Sequence, residues 1–174
     1  METDRLKGLG VAMITPFDKD YNVDFESLTG ITEHMITNGV NYLVVMGTTG
    51  ENPTISEDQQ YSILARVQEA NEKRVPIVFG IAGNNTPAVV SRLTNFDYTG
   101  ISAILSASPY YNKPNQQGII KHYTALADAS QAPIILYNVP GRTGSMMSVD
   151  TILKLAEHEN IIGVDTETKP TFKK

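Results

Sequence analysis

Short, unbroken apolar runs recur along this chain, separated by longer amphipathic stretches, and that alternation limits the folds open to it. The runs are Val11–Ile14, Tyr42–Met46, Pro76–Ile81, Ile101–Leu105, Pro133–Tyr137 and Ile161–Val164. Apolar residues follow one another without alternating with polar ones, the pattern of strands buried on both faces. The stretches between them carry helix signals. Asp24 can cap a helix with Leu28, Ile31 and Met35 on one face, stopped at Gly39. Ser56 and Gln59 have capping-box spacing ahead of Ile63, Leu64 and Val67. Thr86-Pro87 suits a cap followed by proline at the first helical position. Asn115 and Ser148 stand before two further amphipathic stretches, the first weakened by Gly118.

The order is therefore β-α repeated, ending on a strand, which calls for right-handed crossovers and a parallel sheet covered by helices. A doubly wound dinucleotide-binding sheet needs a glycine-rich phosphate loop after its first strand, and Ile14-Thr15-Pro16-Phe17 is not one. A (β/α)₈ TIM barrel instead places polar residues at the C-terminal end of each strand. Here those ends read Thr15-Pro16, Gly47 to Glu51, Gly83-Asn84-Asn85, Ser108 to Asn112 and Asn138 to Gly144. A whole barrel takes about 250 residues, and 174 are present. The expected fold is an α/β, incomplete barrel of about six parallel strands over residues 1–164. A tail at 165–174, rich in Thr, Lys and Pro, is expected to be disordered.

Composition narrows the function. The net charge of −5 with no basic stripe argues against nucleic acid as a partner. The absence of cysteine excludes thiolate metal sites and a cysteine nucleophile. His34, His122 and His158 lack metal-ligand spacing and read as solvated or core positions. No apolar run approaches the roughly 20 residues of a membrane span, and the N-terminus lacks a signal-like apolar stretch. The expectation is a soluble, cytoplasmic domain with no metal and no organic cofactor.

The strand ends carry the chemistry. Gly47-Thr48-Thr49-Gly50-Glu51 offers hydroxyls and backbone N–H groups that suit a small carboxylate, though by itself it also suits a plain turn. Ser108-Pro109-Tyr110-Tyr111-Asn112 and Tyr137-Asn138-Val139-Pro140 bring phenols to two strand ends. Arg142, in Gly141-Arg142-Thr143-Gly144, has a guanidinium fitted to a carboxylate or to a surface ion pair. In this order the set resembles the dihydrodipicolinate synthase / N-acetylneuraminate lyase family of Schiff-base aldolases. The similarity runs from Gly8 through Thr15-Pro16-Phe17 and Pro109-Tyr110-Tyr111-Asn112-Lys113-Pro114 to Asn160-Ile161-Ile162-Gly163. Tyr137-Asn138-Val139-Pro140 followed by Arg142-Thr143-Gly144 looks like the dihydrodipicolinate synthase branch.

The resemblance implies condensation of pyruvate with aspartate semialdehyde through a lysine imine, in lysine and diaminopimelate biosynthesis, by a homo-oligomer. It implies a proton relay of Tyr137, Thr48 and Tyr111, with Tyr111 reaching a neighbouring subunit. Thr48 and Thr49 would hold the pyruvate carboxylate and Arg142 that of the semialdehyde. Asn84 and Tyr110 would border a cleft between subunits that binds lysine in some members, whereas Asn52, Pro53, Glu57 and Gln60 do not match it. One position departs. Where the family has its imine-forming lysine, this chain has Asp165, in Ile161-Ile162-Gly163-Val164-Asp165-Thr166. A carboxylate cannot form a Schiff base, so the chain is expected to be inactive. Lys169, Lys173 and Lys174 follow in an unpatterned tail. The alternatives are a non-catalytic fragment acting as an assembly or binding module, or another pyruvate aldolase such as N-acetylneuraminate lyase.

Overall fold

The computed structural model describes residues 6–167. Six strands are present: β1 (Gly10–Ala12), β2 (Tyr42–Val45), β3 (Ile77–Gly80), β4 (Ala103–Ala107), β5 (Ile134–Asn138) and β6 (Ile161–Thr166). They form one sheet in sequence order, β1 through β6. The helices are α1 (Phe25–Thr37), α2 (Glu57–Asn71), α3 (Thr86–Asn95), α4 (Gln116–Ala129), a single turn α5 (Pro140–Thr143) and α6 (Val149–Leu155). Parallel strands in sequence order with intervening helices make an incomplete barrel, as the strand-end pattern predicts. By its contacts the chain divides into two units, one running to Gly80 with Thr99–Ser102, the other Ile81–Tyr98 with the chain from Ala103 on.

In the first unit β1 pairs with β2 (Gly10 opposite Tyr42) and β2 with β3 (Leu43 opposite Ile77), all parallel. Gly10 is required: a Cβ there would lie 2.0 Å from the Tyr42 ring. Asp24 caps α1 by accepting from the Ser27 N–H, and Ser56 and Gln59 make the predicted capping box on α2. Leu28, Ile63, Leu64 and Val67 are buried between these helices and the strands. At roughly 1.5–3 kcal/mol for each fully buried side chain, this face anchors the helices far more strongly than the caps do.

In the second unit β4 pairs with β5 (Ile104 opposite Ile134) and β5 with β6 (Leu136 opposite Val164, Asn138 opposite Thr166). The cap of α3 is Asn85, whose Oδ1 accepts from Ala88 N–H, one residue ahead of the predicted Thr86. Thr86 is left to bond His122. Gly118 sits inside α4 because a Cβ there would be 3.0 Å from Pro114 Cβ. The helix survives it because Ile119, Tyr123 and Leu126 are fully buried. The expected break after Val164 is not a structural one. Asp165 and Thr166 continue β6, since β5 offers backbone partners as far as Asn138, whose carbonyl also accepts from Glu167 N–H. The rest of the predicted tail, with Lys169, Lys173 and Lys174, lies outside the described residues. No described helix is long and apolar enough to cross a membrane.

Candidate active site at the strand ends

Strand β2 ends at Val45, and the chain turns through Met46 in the left-handed region (φ 58°) into a 3₁₀ turn, Thr48–Gly50. Gly50 N–H and Glu51 N–H bond back to Gly47 and Thr48, and the buried Thr15 hydroxyl donates to the Gly50 carbonyl at 2.7 Å. Thr48 and Thr49 are exposed, and among the described residues their hydroxyls have no hydrogen-bond partner. Both are thus available to an anion approaching the end of β2.

The other predicted site residues belong to the second unit. Tyr137, in β5, is 6% exposed. Its hydroxyl donates to Glu167 Oε1 at 2.6 Å, and Asp165 is its partner in register on β6. Asp165 therefore stands beside Tyr137 on the adjacent strand. Partial burial at the strand end, reinforced by the neighbouring Glu167 charge, raises the Asp165 carboxyl above its ordinary range. Asn138 is 3% exposed and fully engaged: its Oδ1 accepts from Met147 N–H at 3.1 Å and its amide reaches Thr166 Oγ1 at 3.5 Å. That pair ties β5 to the segment after α5. Arg142 lies exposed in α5 and has no acidic partner among the described residues.

Tyr111 follows β4 and is not brought onto Tyr137. It is 88% exposed, with φ 71°, and its hydroxyl is unpartnered among the described residues. Its loop is held by neighbours: Asn84 Nδ2 donates to the Tyr110 carbonyl, and Asn112 Nδ2 to the Asn84 carbonyl, both at 3.3 Å. The left-handed backbone at Tyr111 is a conformation that persists because these loop hydrogen bonds hold it. Among the described residues no group of three or more His, Cys, Asp or Glu could hold a metal ion. The residue that sequence reasoning missed is Glu167. It read as part of a tail, and the signal for it was the period of two along β6, which puts residues 165 and 167 on one side of a strand that continues past Val164.

Comparison with known proteins supplies the lineage. A model described as the Dihydrodipicolinate synthetase family matches residues 5–172. The chain belongs to that family. It is 51% identical over 158 residues to the 4-hydroxy-tetrahydrodipicolinate synthase of Flavobacterium psychrophilum, covering 90% of this chain and 54% of that protein. The Parabacteroides distasonis synthase is 50% identical over 160 residues, with 91% and 54% covered. Among solved structures, the chloride-inhibited dihydrodipicolinate synthase of Acinetobacter baumannii, complexed with pyruvate, superimposes with a TM-score of 0.90. The two are 41% identical, over 94% of this chain and 56% of that one. The synthase of Bacillus anthracis gives 0.86 at 39% identity, over 91% and 54%. The chain spans about half the length of the relatives it matches. Family membership and the parallel-barrel fold agree with the reading of the strand ends.

Proposed function

We propose that the strand-end residues of this chain are those of a pyruvate-condensing synthase of the lysine and diaminopimelate route, and that the chain as it stands does not carry out the condensation. The observation that carries this is Asp165 beside Tyr137 on the neighbouring strand. In the family reaction an amine at that place adds to the keto carbon of pyruvate and expels water, giving an imine. Loss of a methyl proton gives the enamine that attacks the aldehyde of aspartate semialdehyde. Every step depends on the amine nitrogen lone pair, and a carboxylate supplies none.

The other residues keep chemistry suited to the rest of the reaction. Thr48 and Thr49 present hydroxyls, unpartnered among the described residues, for the pyruvate carboxylate. Tyr137, Thr48 and Tyr111 can each donate and accept a proton, which a relay requires. Arg142 offers a planar guanidinium, without an acidic partner among the described residues, to the semialdehyde carboxylate. The exposed Tyr111 supports a homo-oligomer in which a partner subunit completes the relay. No metal or organic cofactor enters this chemistry, and cytoplasmic localisation goes with it.

The test is borohydride reduction of the chain in the presence of pyruvate, followed by intact mass and peptide mapping. No adduct is expected. A reduced pyruvate adduct on Lys169, Lys173 or Lys174 would overturn the reading of inactivity. A second reading, a non-catalytic assembly module, draws on the edge strand β6 and on Val149 (71% exposed) and Leu153 (62% exposed) on α6.

A further inference from the structure

The Thr48–Gly50 turn is held in place by one carboxamide. Met46 and Gly80 end strands β2 and β3 so closely that a Cβ on Gly80 would lie 2.0 Å from the Met46 carbonyl oxygen. Two backbone carbonyls, from Met46 and Gly80, crowd the same place, and both residues are buried. Asn52 Nδ2 donates to both, at 3.0 Å to Met46 and 3.2 Å to Gly80. A primary amide has two N–H groups, so both are committed.

The same Asn52 is anchored from behind. Gln60, 4% exposed on α2, donates from Nε2 to the Asn52 carbonyl at 3.0 Å and to the Ile55 carbonyl at 2.9 Å, and it approaches Asn52 Oδ1 at 3.4 Å. Helix α2 begins at the Ser56 capping box, directly after this segment. The turn bearing Thr48 and Thr49 is thereby fixed at its entry through Met46 and at its exit through Thr15 on the Gly50 carbonyl.

The structure assigns to Asn52 the role of a positioning residue: its forked donation to Met46 and Gly80 sets the direction in which Thr48 and Thr49 face an incoming carboxylate. This rests on the reading of those threonines as the holders of pyruvate. Sterics alone do not suffice, because Met46 has a positive φ without being glycine, a conformation that persists only where its surroundings enforce it.

The test compares three variants of the full chain. Asn52→Leu removes the donors and Asn52→Asp keeps the shape without them. Asn71→Leu is a control at a buried asparagine, 3% exposed, that ties its own loop through Val75 far along α2 from the turn. The readouts are native-state amide exchange at Gly50 and Glu51, and pyruvate-induced NMR shifts at Thr48 and Thr49. Both Asn52 variants should raise the exchange rates tenfold or more and weaken the pyruvate response at least tenfold. The control should leave both readouts alone while lowering global stability. Unchanged exchange and unchanged pyruvate response in Asn52→Leu would overturn the assignment, as would equal effects from Asn71→Leu. If the turn amides loosen but pyruvate moves neither threonine in the unaltered chain, the clamp is supported and the carboxylate reading of Thr48 and Thr49 fails instead.

Discussion

His122 should make this protein acid-labile in a pH range where few carboxylates have yet titrated. The ring lies on α4, 3% exposed, with Nδ1 2.7 Å from Thr86 Oγ1 and with Tyr123 packed edge-on at 5.3 Å between centroids. Among the described residues its buried Nε2 has no hydrogen-bond partner. Protonation would place a charge in this apolar setting with a second N–H and nothing to receive it. Burial accordingly lowers the His122 pKa from 6.5 to about 4. The sign follows from proton counting. Between those two values the unfolded chain binds a proton that the folded chain refuses, so stability is fully present above 6.5 and is lost as the pH falls towards 4. At 1.36 kcal/mol per unit, a gap of about 2.5 units limits the loss to about 3.4 kcal/mol. From pH 7.5 to pH 5 the expected share is about 2 kcal/mol, a large part of the ~5–15 kcal/mol typical of a domain. The assay is urea unfolding at both pH values for the unaltered chain and for His122→Gln, which keeps an acceptor for Thr86 but does not titrate. The unaltered chain should lose about 2 kcal/mol more than the variant. Equal losses in the two proteins, or an NMR titration of His122 centred near its ordinary value, would refute the reasoning.

Two further outcomes are expected. Gly80→Ala should destabilise by about 3 kcal/mol or more, because the added methyl meets the Met46 carbonyl, a backbone atom that cannot move aside without shifting β2; a thermal melt within a degree or two of the parent would show the approach is not as tight as it stands. Strands β1 and β6 end the sheet, and Leu9, Ile14, Met146, Val149, Leu153 and Val164 are exposed. Open strand edges and exposed apolar helix faces, here Val149 and Leu153 on α6, both pair with other chains, so sedimentation should show concentration-dependent self-association that Val149→Lys with Leu153→Lys reduces. A monomer at all concentrations contradicts this.

Much of this protein follows from one-dimensional pattern. Apolar runs such as Pro76–Ile81 and Pro133–Tyr137 read as strands covered on both faces, and side chains such as Asp24, Ser56, Asn115 and Ser148 carry their capping chemistry with them. The order of polar strand ends was likewise local, and so were the candidate site residues and the aspartate at position 165. Tertiary structure decided what depends on a neighbour. Asp165 and Thr166 became strand because β5 extends its backbone pairing to Asn138. Glu167 joined the candidate site because that extension brings it within 2.6 Å of the Tyr137 hydroxyl. Asn52, unremarkable in sequence, became a clamp because Gly80 lets β3 approach the Met46 carbonyl from 34 positions further along the chain. Sequence spacing encodes periodicity within an element, whereas the distance between two carbonyls on separate strands exists only once the sheet has formed.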